Sequence, residues 1–277
     1  MILAHEIPSG SRLYFGKTAT RKRKLEAKAC EILQKNGFEE IVTPHFAYHA
    51  HQLRENEIES ARLIRLASPD NTFLTLRADS SLDVVRLITK RLGKSVDYQK
   101  WFYAQPIFSY PSTEVYQIGA EWINSNNIAA MLEIMLDIFK AFNICPIIQL
   151  SHSDITKSVC ENSLALPEWF TPLNVAKISE LGLDWLNDMV ALENGNVNSA
   201  PQPIIKALDE LNDVAKKLPN SVLHPLFVSE NDYYSGLFFR AIIGNDIVAQ
   251  GGTYKSESTD CVGFALYIDN ILGKTDE

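Results

Sequence analysis

YAQPIFSYPSTEVYQIGAEW, residues 103–122, reads as a tight hairpin, with strands over 100–108 and 115–123. A strand turns its side chains to the same face every second residue, so Gln117, Gly119 and Glu121 point one way. Two polar groups on either side of a glycine make a floor for a small polar ligand. No Arg, Lys or His lies between Phe108 and Trp122, so this stretch supplies groups that bind and no cation to help a reaction.

Upstream of the hairpin, residues 20–36 have the apolar spacing of a helix (Leu25, Ala29, Ile32, Leu33) and stop at Asn36-Gly37. Phe38–Thr43 is a strand-like run closed by Pro44, and residues 72–76 form a further short strand. A helix over 81–92 fits Leu82, Val85, Leu87, Ile88 and Leu92, with Ser80 or Ser81, and Asp79 or Asp83 nearby, available to cap it. Downstream, 128–142 is apolar at helical spacing and 146–150 is a buried-type strand. Residues 152–218 then change character, with helical periodicity, few strand signals and a polar connector at 193–203, and read as a helical insertion. Strands return at 234–243 and 245–250 around Gly244-Asn245, and VGFALYIDNIL (262–272) is a helix or a strand–helix junction. Strand pairs at both ends of a helical middle predict an α+β fold with a mostly antiparallel sheet in a single domain.

The bulk properties exclude several classes. A chain of 277 residues with 46% apolar and 22% charged side chains has ample material for a core. A formal charge of −8 argues against a protein that works on nucleic-acid phosphates. The one basic run, Arg21–Lys24, heads a helical pattern and reads as a solvated face. Four unpatterned cysteines (Cys30, Cys145, Cys160, Cys261) suit a reducing cytoplasm. No apolar run is long enough for a signal peptide or a membrane span. No GxGxxG, Walker loop or GxSxG elbow is present, and no cofactor is expected.

Three places concentrate polar groups: Asp79 with Ser81, Gln117 with Glu121, and DYYSG (232–236) followed by QGGTY (250–254). Carboxylates, hydroxyls and an amide are what an ammonium group and a ring nitrogen need. Each also has a plain structural use, since Asp79 and Ser81 can cap a helix and Gly251-Gly252 can make a turn. His45, His49 and His51 form HxxxHxH, but no carboxylate is placed to complete a metal site, and none is expected.

The order of segments carries more than any one of them. GFEEIVTPHFAY (37–48) resembles motif 1 of class II aminoacyl-tRNA synthetases, and LRADSS (76–81) resembles the histidine-binding segment of histidyl-tRNA synthetases and of their paralogue, the regulatory subunit of ATP phosphoribosyltransferase. The hairpin resembles motif 2, DYYSGLFFRAIIGNDIVAQGGTY (232–254) the family's DYYTG…GGRYD region, and VGFALYIDNIL motif 3. The resemblance implies a class II catalytic fold, an antiparallel sheet flanked by helices, that dimerises through the motif 1 region. The sequence stops after motif 3, so no anticodon-binding domain is expected.

The resemblance also marks what has changed. The motif 2 arginine falls at Ser109 and the motif 3 arginine at Asn270. The arginine before DYYTG falls at Ser229, and that of GGRYD at Thr253. Adenylate formation builds negative charge that fixed guanidinium groups offset, so these losses predict no synthetase activity. Asp79, Ser81, Gln117 and Glu121 match positions that hold the histidine α-ammonium in the family, and Tyr233 and Tyr234 match those lining the imidazole. The expectation is a non-catalytic regulatory subunit in histidine biosynthesis, partnered by a short-form catalytic transferase. Two alternatives stand beside it. One is a free-standing class II-fold enzyme with Glu121, Asp79 or Lys255 as acid or base, and the other is an orphan histidine-binding paralogue.

Overall fold

Two sheets organise the computed structural model, which describes residues 3–55, 60–96, 98–191, 197, 199–229 and 233–274. In chain order the elements begin with α1 (Gly16–Lys35), β1 (Glu39–Glu40), β2 (Phe46–Tyr48), α2 (His49–Glu55), β3 (Arg65–Ala67), β4 (Phe73–Leu76) and α3 (Ser81–Arg86). Then come β5 (Lys100–Ser109), β6 (Thr113–Ile123), α4 (Ile128–Lys140), β7 (Ile147–His152), α5 (Ser153–Asn162), α6 (Val175–Ser179), α7 (Asp184–Ala191) and α8 (Gln202–Ala215). The chain closes with β8 (Ser221–Leu223), β9 (Tyr234–Ile243), β10 (Asp246–Ser256), β11 (Thr259–Tyr267) and α9 (Ile268–Leu272).

The main sheet has eight strands in the order β1-β5-β6-β11-β10-β9-β7-β8, antiparallel except for the outer pairs β1–β5 and β7–β8. A small sheet, β2-β4-β3, stands apart from it. The β9–β10 hairpin turns through Gly244, whose φ of 60° is the conformation that such a two-residue turn demands. On one face of the main sheet, α1 buries Leu25, Ala29 and Leu33 in a core shared with α4 (Met131, Leu132, Met135) and with Phe102, Ile118 and Ala120 of the hairpin. Asn127 caps α4 by accepting from the Ala130 amide at 3.2 Å. That packing leaves the opposite parity of β6, with Gln117, Gly119 and Glu121, to face the other side.

Several elements differ in extent from the sequence reading. The expected 81–92 helix is α-helical to Arg86 and continues as a wider π segment over Leu87–Leu92. The 38–43 run contributes only a two-residue strand, because side chains take over its later backbone groups. Gln105 Oε1 accepts from the Thr43 amide, and the fully buried Arg77 guanidinium donates to the carbonyls of Thr43 and Pro44 at 3.1 and 3.0 Å. The basic run is not wholly solvated. Lys22 is buried, ion-paired with Glu26 and placed over the Tyr116 ring. In the polar connector, residues 193–196 and 198 lie outside the described residues, as does Asp232 of DYYSG.

Candidate functional site

β6 carries the floor of a narrow cavity on the face away from α1 and α4. Asp79, Ser81, Gln117, Glu121, Tyr233 and Tyr234 all line it, so the six residues separated in sequence meet at one place. Gln250, Tyr254 and residues 263–265 and 267 of β11 complete the wall. The space open to the centre of a water molecule is about 20 Å³, room for one water. A larger ligand therefore enters only by displacing side chains of this wall.

Glu121 sits at the bottom, fully buried. Its Oε2 accepts from the Tyr254 hydroxyl at 2.6 Å, and the Ser81 hydroxyl is also close enough to act on the carboxyl. Burial first, and Asp79 in addition, push this carboxyl up to about 8, against the pull of the Ser81 and Tyr254 hydroxyls. Gly263 lies directly opposite Glu121 in the ladder, and a Cβ there would overlap the carboxyl group. Asp79 is also pushed up by burial, to about 6. It does cap a helix, since its Oδ1 accepts from the Leu82 amide at 3.0 Å, and Ser80 makes no such bond. The cap bond takes one oxygen of Asp79, and the side chain still lines the cavity.

Tyrosines pack round these acids. The Tyr233 ring stands 4.8 Å from Tyr234 and 5.5 Å from Tyr254, and Tyr234 stacks on Phe238 at 5.4 Å. Tyr103, directly across the hairpin from Gly119, is fully buried and shares a 3.2 Å hydrogen bond with Ser81 Oγ. The sequence reading included Gln250 and Tyr254 only as part of QGGTY and did not single out Tyr103 or Gly263. The legible signal was a bulky residue facing a glycine across paired strands, and it needs the register to be known.

At two of the four positions where the resemblance places arginines, the side chain bonds to backbone carbonyls. Asn270 Nδ2 donates to the Ile247 carbonyl at 2.7 Å, and Thr253 Oγ1 bonds to the carbonyls of Ser235 and Leu237 at 3.1 and 3.2 Å. Ser109 pairs with Thr113 at the hairpin end. No Lys, Arg or His is among the described residues lining the cavity. Lys255 is not brought to it, being exposed and paired with Asp260 at 3.6 Å. Among the described residues no three His, Cys, Asp or Glu side chains are grouped to hold a metal ion. His45 and His51 instead make ring contacts with Phe108 and Tyr48.

An antiparallel sheet with this cavity on its open face, entered from motif 2 and motif 3 strands, defines a class II, histidyl-tRNA synthetase-like domain. The family model described as histidyl-tRNA synthetase matches residues 14–271. An ATP phosphoribosyltransferase regulatory subunit from Wolinella succinogenes is 39% identical over 99% of this chain and 97% of its own length. Another, from Helicobacter hepaticus, is 35% identical over 98% of both chains. A solved ATP phosphoribosyltransferase regulatory subunit/histidyl-tRNA synthetase from Bacillus halodurans superposes with a TM-score of 0.86, covering all of this chain and 85% of that one. At 17% identity that likeness speaks for the fold alone. The chain belongs to the ATP phosphoribosyltransferase regulatory subunit family.

Proposed function

We propose that this chain is the non-catalytic regulatory subunit of a short-form ATP phosphoribosyltransferase in histidine biosynthesis, that it binds histidine in the β6 cavity, and that it works as a cytoplasmic homodimer. In this reading it is a single class II domain, with 152–218 a helical insertion. The observation that carries it is the half-furnished cavity. The groups suited to an amino acid, Asp79, Ser81, Gln117 and Glu121, converge, while Thr253 and Asn270 spend their side chains on backbone carbonyls. Phosphoryl-carboxyl chemistry needs fixed positive charge at the reacting centre, and the described residues of this wall supply none.

Such a site regulates only through unequal affinity for two states of an assembly. Histidine held by the conformation that pairs with the inhibited transferase stabilises that conformation by the ratio of the two affinities. The test is a pair of assays on purified protein. Histidine-dependent pyrophosphate exchange is expected to be absent, and a short-form transferase from the same source is expected to gain activity on addition of this chain. A transferase that is neither bound nor stimulated overturns the reading.

A further inference from the structure

A second cleft, of about 470 Å³, opens on the helix-covered face of the main sheet. One wall is α8, the other is the start of α4, and the floor is made by the ends of β9, β10 and β11. Small-molecule sites of this size enclose most of their ligand. This one is open along α8, whose Glu210 and Asp213 side chains are 50% and 73% exposed. The stripe of α8 that lines it, from Pro203 to Val214, runs for roughly 16 Å at 1.5 Å per residue. A trough of that length fits an extended chain segment of about five residues.

The charge of the trough says what kind of segment. Asp154, Glu210, Asp213 and Asp260 line it, against Lys206 as the one lysine among the described lining residues. Lys216 and Lys255 reach Asp213 and Asp260 from outside, at 3.0 and 3.6 Å. Exposed pairs of that sort contribute little and are readily exchanged for a partner's cation. Glu210 is held more firmly. The buried His152 imidazole accepts the Asp154 amide on Nδ1 at 3.2 Å, which leaves Nε2–H to donate to Glu210 Oε2 at 3.3 Å. One carboxylate oxygen is thereby turned toward the floor, in a fixed direction for a guanidinium or ammonium group.

We propose that a lysine- or arginine-bearing segment of the partner transferase subunit lies in this trough, with one cation on Glu210 and others along Asp213 and Asp260. The proposal rests on the regulatory-subunit reading and names the surface that reading needs. Charge complementarity of this kind sets the register of a bound segment and the rate at which it docks. The trough also stands back to back with the β6 cavity. Thr253 lines the trough, and Tyr254, the next residue of β10, lines both spaces and donates to Glu121. The partner and the cavity therefore bear on one strand from opposite sides.

Two paired variants of the full chain test the surface. Glu210→Gln with Asp213→Asn removes two charges from the trough, and Glu133→Gln with Asp137→Asn removes two from the exposed face of α4. Each is titrated calorimetrically against a short-form transferase from the same source, at low and at high salt. At low salt the trough pair is expected to weaken binding about tenfold and the α4 pair less than about twofold. At high salt the trough pair and the wild type should converge. If the double variant does not fold, Asp213→Asn alone should weaken binding in the same direction, and no effect overturns the proposal. Equal weakening by both pairs overturns it in favour of a diffuse field. Undiminished binding by the trough pair overturns it and leaves the regulatory reading standing. Spermidine that binds the wild type, is lost in the trough pair and does not displace the transferase overturns the segment in favour of a small cation. A wild type that binds no transferase at either salt overturns the surface and the regulatory reading together.

Discussion

Glu121 affects folding, and the sign follows from burial. Its carboxyl is raised from an ordinary 4.5 to about 8, so the folded chain holds the proton more tightly than the unfolded chain does. The stability this contributes is fully present below the ordinary value and is lost as pH rises through about 8. A rise of that size corresponds to about 5 kcal/mol between the acid and the ionised form, before local relaxation reduces it. Wild-type stability, measured by urea midpoint without ligand, is therefore expected to fall from about pH 4.5 to about pH 8. In Glu121→Gln the fall above pH 7 should vanish, while the part between pH 4 and 6 that belongs to Asp79 stays. An unchanged slope above pH 7 would show that Glu121 is not held protonated. The facing of Gln117 and Glu121 was legible from strand alternation alone. The Tyr254 partner was not, because it reaches Glu121 across β11, where the absent side chain of Gly263 leaves the space that the Glu121 carboxyl fills.

Among the elements, the β5–β6 hairpin shows why a glycine sits between Gln117 and Glu121. Tyr103 lies over Gly119, and a Cβ on that glycine would run into the tyrosine ring and hydroxyl. Gly119→Ala should push Tyr103 out of its place, break its bond to Ser81 and cost about 1–3 kcal/mol by overpacking. A denaturation midpoint indistinguishable from wild type would mean that the ring has room to move. The hairpin itself and β9 were readable from apolar alternation between turn residues, and their observed bounds lie close to those expected. The 38–43 strand was over-read for a reason that periodicity does not carry. Its last backbone groups are claimed by Arg77 and Gln105, side chains 34 and 62 positions along the chain from Thr43. Arg77 looked like part of a ligand-binding segment. Its guanidinium instead ties Thr43 and Pro44 to the Pro106 carbonyl, fixing the loop that delivers Asp79.

For the molecule as a whole, the small sheet raises the question of what covers it. Phe46 and Tyr48 of β2 lie two apart and share a face, and both remain more than half exposed, at 61% and 55%. Leu74 and Leu76, their ladder partners on β4, extend the same apolar face. This is the segment that resembles motif 1, so a second copy of the chain is the occupant that the homodimer reading supplies. Two neighbouring aromatic side chains left in water offset folding, and burying them against a twin recovers their transfer free energy twice, once per chain. Light scattering is expected to give twice the chain mass for the wild type. The double substitution Phe46→Asp, Tyr48→Asp puts like charges on both copies of an isologous contact, so repulsion adds to lost burial and the mass should fall to that of one chain. Far-ultraviolet circular dichroism should not change, because both side chains lie outside the buried core. A wild type of single-chain mass would remove the homodimer, and a variant that stays dimeric would move the contact away from β2.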